Sequence, residues 1–333
     1  MTPIFMIGTQ RSGSNLLRLM LNQLSQIASP HPPHILQRMM PLMDKYGDLQ
    51  NDETFSQLVD DVCRLVELNP VQWENIEFDR AEVEENCVDR SVVAIQNAIY
   101  GVYTASQNAA CWCCKSLENI SYIEAIEETL PEVKYIYLYR DGRDVAVSFK
   151  KAVVGEKFIY NIADGWAKSQ RVALSWKEKL SPERFFAISY ERLTAETEVV
   201  AKELCAFLQV EYTENMLDFH KTSEAKNAAQ SSKLWENVTK PVMSDNTKKY
   251  LRELSIEEMI LFEAVAGDVL DQLNYPREYL SAESQLVYTE QALERFNQRN
   301  DEMKEKAMEG VDKEDLERRQ RQQGLLKEIQ ARP

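Results

Sequence analysis

The sequence lacks an apolar stretch long enough to cross a bilayer, a Cys-x2-Cys pair matched to a second one, an internal repeat, and all but three histidines. The first absence argues against a membrane span. The cysteines at 63, 87, 111, 113, 114 and 205 form no metal-binding spacing with one another or with His31, His34 and His220, so no metal is expected. Cys111-Trp112-Cys113-Cys114 falls in an apolar run and reads instead as reduced thiols buried in a strand. Positive charge is also short. With 39 Lys and Arg against 54 Asp and Glu, the net charge of −15 argues against nucleic acid as the main partner. An anionic ligand must then be met by a few placed cations. The first strand starts at Ile4 and leaves no room for a signal peptide, so a cytoplasmic protein is expected. The 333 residues, 44% of them apolar, suffice for a large α/β core.

What is present is a strand, a loop and a helix at the N-terminus. Ile4-Phe5-Met6-Ile7 is an unbroken apolar run ended by Gly8, as in a strand buried on both faces of a parallel sheet. Leu16, Leu17, Met20, Leu21 and Leu24 then recur at helical spacing, and the helix is expected to run to about Ile27. The loop between them holds Gly8, Ser12, Gly13, Ser14 and Asn15, so backbone N–H groups converge on an anion at a helix N-terminus. Its Gly-x4-Gly spacing is that of a nucleotide triphosphatase loop, but Ser14 and Asn15 replace the Lys and the Mg²⁺-holding Ser or Thr. The cation sits inside the loop, at Arg11.

Pro30, Pro32 and Pro33 break the chain after the first helix and place His31 and His34 in a rigid turn. With an ordinary pKa of about 6.5, His34 is the leading candidate for a general base, with Asp44 next in line. Residues 36–108 read as a helical acceptor cap whose Tyr46, Phe55, Trp73, Phe78 and Tyr100 offer apolar walls or core. A second strand, 109–114, delivers Lys115 at its carboxyl end, where open parallel sheets bind ligands. A helix is expected over 118–130. The third strand, 135–139, runs into Arg140-Asp141-Gly142-Arg143-Asp144 and a helix carrying Ser148, so that Arg140 and Ser148 are placed to share one phosphate. A fourth strand, 184–189, leads to Tyr190; residues 221–249 read as a long loop, and the charged stretch 281–333 as solvated helices or an oligomer contact.

Gln-Arg-Ser-Gly-Ser-Asn-Leu-Leu after the first strand and Tyr-Leu-Tyr-Arg-Asp-Gly-Arg-Asp-Val-Ala-Val-Ser after the third resemble the two cofactor motifs of sulfotransferases that use 3′-phosphoadenosine 5′-phosphosulfate (PAPS). The resemblance implies a three-layer α/β core with a central parallel sheet flanked by helices. It gives Arg11, Ser12, Gly13, Ser14 and Asn15 to the 5′-phosphosulfate, Arg140 and Ser148 to the 3′-phosphate, and Tyr190 to the adenine side. Similarity to the tyrosylprotein branch further implies a catalytic role for Lys115 and donor contacts from Ser232, or its neighbour Ser231, and Lys249. That branch's catalytic Glu falls in the Pro30–His34 turn, where this chain has histidine. The expected organisation is a sulfotransferase domain over 1–280 and a charged helical extension over 281–333. The expected activity is in-line transfer of a sulfuryl group from PAPS to a hydroxyl of a small or lipid-like acceptor, with catalytic Arg11, His34 and Lys115, no metal, and adenosine 3′,5′-bisphosphate as product. A Mg²⁺-dependent kinase and a non-catalytic nucleotide-binding module are the competing readings.

Overall fold

The computed structural model describes residues 2–73, 76–231, 237–243, 246–284, 286–310 and 313–333. Among them five strands, β1 (Ile4–Gly8), β2 (Ile27–Ala28), β3 (Cys111–Cys114), β4 (Lys134–Tyr139) and β5 (Phe185–Ser189), form one sheet in the order β2-β3-β1-β4-β5. Every neighbouring pair is parallel. Helix α1 (Ser14–Leu21) follows β1, and α2 (Ile35–Met39), α3 (Asp52–Glu67), α4 (Arg80–Glu85) and α5 (Val92–Ser106) lie between β2 and β3. Then come α6 (Ile123–Thr129) before β4, and α7 (Gly142–Lys151) and α8 (Ile159–Lys179) before β5. The chain finishes with α9 (Tyr190–Ala195), α10 (Thr197–Leu208), α11 (Ser223–Ser231), α12 (Tyr250–Glu253), α13 (Ile256–Gln272), α14 (Glu290–Met308) and α15 (Lys313–Gln330).

Alternation along the strands builds two cores. Phe5, Ile7, Trp112, Cys114, Tyr135 and Tyr137 pack on one face with the side chains of α3, α5, α8 and α13. Ile4, Met6, Cys111, Cys113, Ile136 and Leu138 pack on the other with those of α1 and α10. With both faces covered, the strands are apolar at nearly every position, Lys134 and Ser189 standing at strand ends, and the expected three-layer α/β core is what forms. The Cys111 to Cys114 thiols are free and buried, as expected. Because β1 and β4 are neighbours whose following connections leave in opposite directions, a cleft opens between their carboxyl ends, the place where such sheets bind ligands.

Four local expectations are corrected. Helix α1 stops at Leu21, six residues before Ile27, which instead starts the two-residue edge strand β2 on β3. A 3-10 turn over Leu117–Tyr122 precedes α6, so 118–130 is not one helix. The 221–249 stretch begins with α11, whose Glu224 is held by Arg18 and Asn22 of the first helix region. Helix α15 is not solvated all round: Leu325 and Ile329 are buried against the cap, Gln322 donates to the Leu65 carbonyl at 2.7 Å, and Arg332 pairs with the buried Asp61. Its sparse apolar positions are used within the chain.

Gly8 ends β1 at φ 139°, where a Cβ would sit 2.2 Å from the Leu138 carbonyl oxygen of β4. Both the backbone angle and the close approach need glycine. Gly8→Ala should therefore destabilise the protein by about 2 kcal/mol or more, read from thermal or denaturant melting. A melting curve unchanged by the substitution would show that the β1–β4 contact is looser than this.

Candidate active site

The segments that follow all five described strands feed one cavity of about 1200 Å³. The loop after β1 lines it with Arg11, Gly13, Ser14 and Asn15; β3 contributes Lys115, β4 and α7 contribute Arg140 and Ser148, and Tyr190 follows β5. Lys249 lines it from just before α12, and His31 and His34 from the proline turn. Arg11, Gly13, Ser14, Asn15, Lys115, Arg140, Ser148 and Tyr190 are thus brought together as expected, while Ser12 lies in the same loop without lining the cavity. Ser232 lies outside the described residues, and so does the side chain of Ser231.

Contacts among these groups join the two motifs. The Arg11 Nε donates to Ser148 Oγ at 2.8 Å, and Arg140 Nη1 donates to the Arg11 carbonyl at 3.1 Å. The Arg140 guanidinium lies 4.3 Å from the centre of the Tyr190 ring. That ring packs on Gly13 so closely that a Cβ there would come within 2.4 Å of it. The Tyr190 hydroxyl accepts from Asn246 Nδ2 at 2.8 Å. Asp144 fixes the approach of the Lys249 segment by accepting from the backbone N–H groups of Lys248 and Tyr250 at 2.7 and 3.1 Å. Asp141 caps α7 through the Arg143 N–H and pairs with the buried Arg143 guanidinium.

The loop fits a phosphate or sulfate group. Helix α1 starts after Gly13 with no side-chain cap and no acidic residue in its first turn, so its first N–H groups point at the cavity end. Ser12 Oγ and Arg140 Nε are enclosed without a protein partner. Orphaned donors of this kind call for a bound oxyanion. Arg11 stands at φ 71°, a left-handed backbone angle rarely taken by non-glycine residues, which turns its side chain back across the cavity toward α7.

Lys115 is buried, donates to Asn15 Oδ1 at 2.9 Å, and has its pKa pushed down to about 7 by burial first and by the Arg18 and Arg11 charges next. Arg18, absent from the sequence reading, is a buried α1 residue locked to the Ser29 carbonyl and to Glu224. The histidines differ from expectation. Burial, with Lys115, Arg38 and Arg319 nearby, pushes His34 down to about 3, and His31 is pushed down as well. His34 is therefore neutral at pH 7, able to accept a proton but a far weaker base than an ordinary histidine. It takes φ 60° at the start of α2, and its Nδ1 is enclosed without a hydrogen-bond partner. Asp44, the reserve candidate, is exposed and does not line the cavity, whereas Glu118, which sequence reasoning missed, does.

The aromatic residues offered as walls are core instead: Tyr46, Phe55, Trp73, Phe78 and Tyr100 are buried in the larger cluster and none lines the cavity. Its apolar wall comes from Pro41, Leu42, Val71, Leu117 and Leu326. Arg38 and, from α15, Arg318 and Arg319 also face it. Arg38 is the single charge of α2, and the spacing of Arg318 and Arg319 within the charged α15 carried no signal of this.

A central parallel sheet with the Arg11 and Arg140 loops at the carboxyl ends of β1 and β4 is the arrangement of a P-loop-like α/β protein. The chain belongs to the sulfotransferase family, whose model matches residues 3–214. Its fold is shared with the sulfotransferase domain of the Synechococcus PCC 7002 olefin synthase, at TM-score 0.52 and 23% identity over 78% of this chain and 93% of that one. The sulfotransferase domain from the curacin biosynthetic pathway gives TM-score 0.55 and 20% identity over 83% and 99%. A protein of Aquifex aeolicus (strain VF5), described only as uncharacterized, is 24% identical over 259 residues, 75% of this chain. The match spans only 30% of that relative's length. Among the described residues no helix is long and apolar enough to cross a membrane.

An oxyanion held beside Lys115 restores its charge and raises its pKa from about 7. Binding should then take up protons above that pH, and affinity should fall as the pH climbs from about 7 toward the higher pKa of the bound state. Calorimetry with adenosine 3′,5′-bisphosphate at pH 8, in buffers of different ionisation heat, should show this uptake in the unsubstituted chain and lose it in Lys115→Met. Equal uptake in both would assign the proton elsewhere.

Proposed function

We propose that the chain transfers a sulfuryl group from PAPS to a hydroxyl of a small or lipid-like acceptor by in-line displacement. The observation that carries this reading is the joining of the two strand-end motifs, Arg11 to Ser148 and Arg140 to the Arg11 carbonyl, around one cavity. At about 1200 Å³ the cavity exceeds the roughly 300–1,000 Å³ of a single-ligand site, which leaves room for a donor nucleotide and a second molecule. The donor would supply the sulfuryl group together with a phosphate leaving group.

The chain's own residues then divide the work. The N–H groups at the start of α1, with Ser12, Ser14 and Asn15, hold the 5′ side, and Arg140 and Ser148 hold the 3′-phosphate while Tyr190 supports the Arg140 plane. Lys249 adds charge from the α12 side. Arg11 and Lys115 stabilise the negative charge that develops as the bond breaks, fixed in place before any ligand arrives. His34, neutral, accepts the hydroxyl proton, with His31 and Glu118 as the other groups able to receive it. Burial holds the His34 pKa down first and the neighbouring positive charges next; an anion bound near Lys115 offsets the second of these, which makes the imidazole a better base when the site is filled.

Calorimetry with adenosine 3′,5′-bisphosphate and with ATP·Mg²⁺ tests the donor: the bisphosphate should bind more tightly, and a preference for ATP·Mg²⁺ would favour a kinase. Arg140→Ala should cost bisphosphate binding on the order of 2 to 4 kcal/mol, because a desolvated phosphate loses its bidentate partner. His34→Ala should lower turnover at saturating donor by a factor of about 10² to 10⁴ while leaving bisphosphate affinity nearly intact. If folded His34→Ala turns over normally, or if His31→Ala or Glu118→Gln shows the larger loss, the proton goes to another group.

A further inference from the structure

One wall of the cavity comes from beyond residue 214, where the family match ends. Helix α15 supplies it through two adjacent stripes at helical spacing. The stripe of residues 322, 325, 329 and 332 docks the helix: Gln322 donates to the Leu65 carbonyl of α3 at 2.7 Å, Leu325 and Ile329 are buried, and Arg332 pairs with the buried Asp61. The Lys45 ammonium group adds a hydrogen bond to the Arg332 carbonyl at 3.2 Å. The neighbouring stripe, with Leu326 and Gln330, lines the cavity.

The contacts of α15 fix which side of the cavity it covers. It packs on α3 and on a 3-10 turn, Met40–Lys45, that continues α2. Helix α2 begins at His34. The donor groups Arg11, Arg140, Ser148 and Tyr190 come instead from the segments after β1, β4 and β5. Helix α15 therefore stands on the His34 side. There Leu326 is only partly buried and lines the same cavity as Leu42, Val71 and Leu117. Arg318 and Arg319 line it two turns earlier, about 10 Å along the helix from Leu326, and are engaged within the chain. A leucine held open to a cavity by a docked helix is stabilised when apolar surface is laid on it.

We propose that α15 is the specificity element of the acceptor site, and that Leu326, with Leu42, Val71 and Leu117, selects an alcohol with a hydrocarbon body several carbons long. The inference rests on the sulfotransferase reading and narrows its acceptor class. The hydrocarbon lies along the leucine wall and leaves the hydroxyl at His34. Selection then depends on a segment remote in sequence from both donor motifs, so acceptor preference and donor binding are separable by substitution.

Calorimetry on the full chain saturated with adenosine 3′,5′-bisphosphate tests this with 1-butanol and 1-octanol, which cannot react without a sulfuryl donor. 1-Octanol should bind about tenfold or more tightly than 1-butanol, because the longer chain covers more of the wall. Leu326→Asp, which sets a charge against the hydrocarbon, and Leu326→Trp, which fills the space, should each remove most of that preference. Bisphosphate affinity should stay unchanged in both, and Lys327→Asp, on the exposed side of the same helix, should change neither ligand. If Leu326→Asp melts early because the helix undocks, Leu326→Trp decides. Equal binding of the two alcohols, no binding of either, or a length preference that survives in folded Leu326→Trp would overturn the proposal. So would a loss of bisphosphate affinity in folded Leu326→Trp, which would put α15 on the donor side. Failure of the unsubstituted chain to bind the bisphosphate at all would be a separate result, removing the sulfotransferase reading and this inference with it.

Discussion

A buried ammonium group next to guanidinium groups is unfavourable twice over, through lost hydration and through like-charge repulsion. Lys115 is held in that situation, with Arg18 and Arg11 as its neighbours. The surrounding structure exists in large part to keep these cations where they are. Arg18 is pinned by the Ser29 carbonyl and Glu224, Arg11 by Ser148, Arg140 by the Tyr190 ring, and Lys115 itself by Asn15. On a chain with net charge −15 the result is a local positive field inside an acidic protein. Its strength comes from exclusion of water rather than from number of charges.

That field also explains why the base is hard to read. A histidine taken alone suits proton abstraction near neutrality, but His34 is buried and, beyond that, feels Lys115 at the end of β3, Arg38 from its own helix and Arg319 from the far end of the chain. Sequence order hides all three. Burial depresses the imidazole most and this field adds to it; an incoming anion neutralises the field, so the protonation state of the site is coupled to its occupancy. Base strength becomes a property of the filled site.

Legibility followed locality. The β1 loop, the β4 motif and Lys115 could be read because each is a short apolar run followed at once by its polar groups, and the parallel sheet places all such ends on one side. The two-residue strand β2 could not, because Ile27-Ala28 has no periodicity of its own and is a strand only through its pairing with β3. The aromatics of the cap were legible as apolar but not as core or wall, since that depends on which helix face meets the sheet. The role of α15 was least legible. Its partners Asp61 and Leu65 lie more than 250 residues away, and a helix with a few apolar positions among many charges reads as solvated unless its docking site is known.

The backbone shows how much of this arrangement is fixed in advance. Arg11 and His34 both occupy the left-handed region, one in the anion loop and one at the start of α2, and both side chains belong to the site. Such angles cost of order 1–3 kcal/mol each and persist only where neighbouring structure over-determines them. Here the over-determination is visible: Gly8 is pressed on β4 just before Arg11, Gly13 is pressed on Tyr190 just after it, and Pro32-Pro33 runs into His34. The cavity residues are therefore aimed by the two cores and the proline turn rather than by a ligand. A ligand entering such a site meets charges that need little rearrangement, and preorganisation of that kind makes a few cations sufficient for chemistry that would otherwise have to wait for solvent to reorganise.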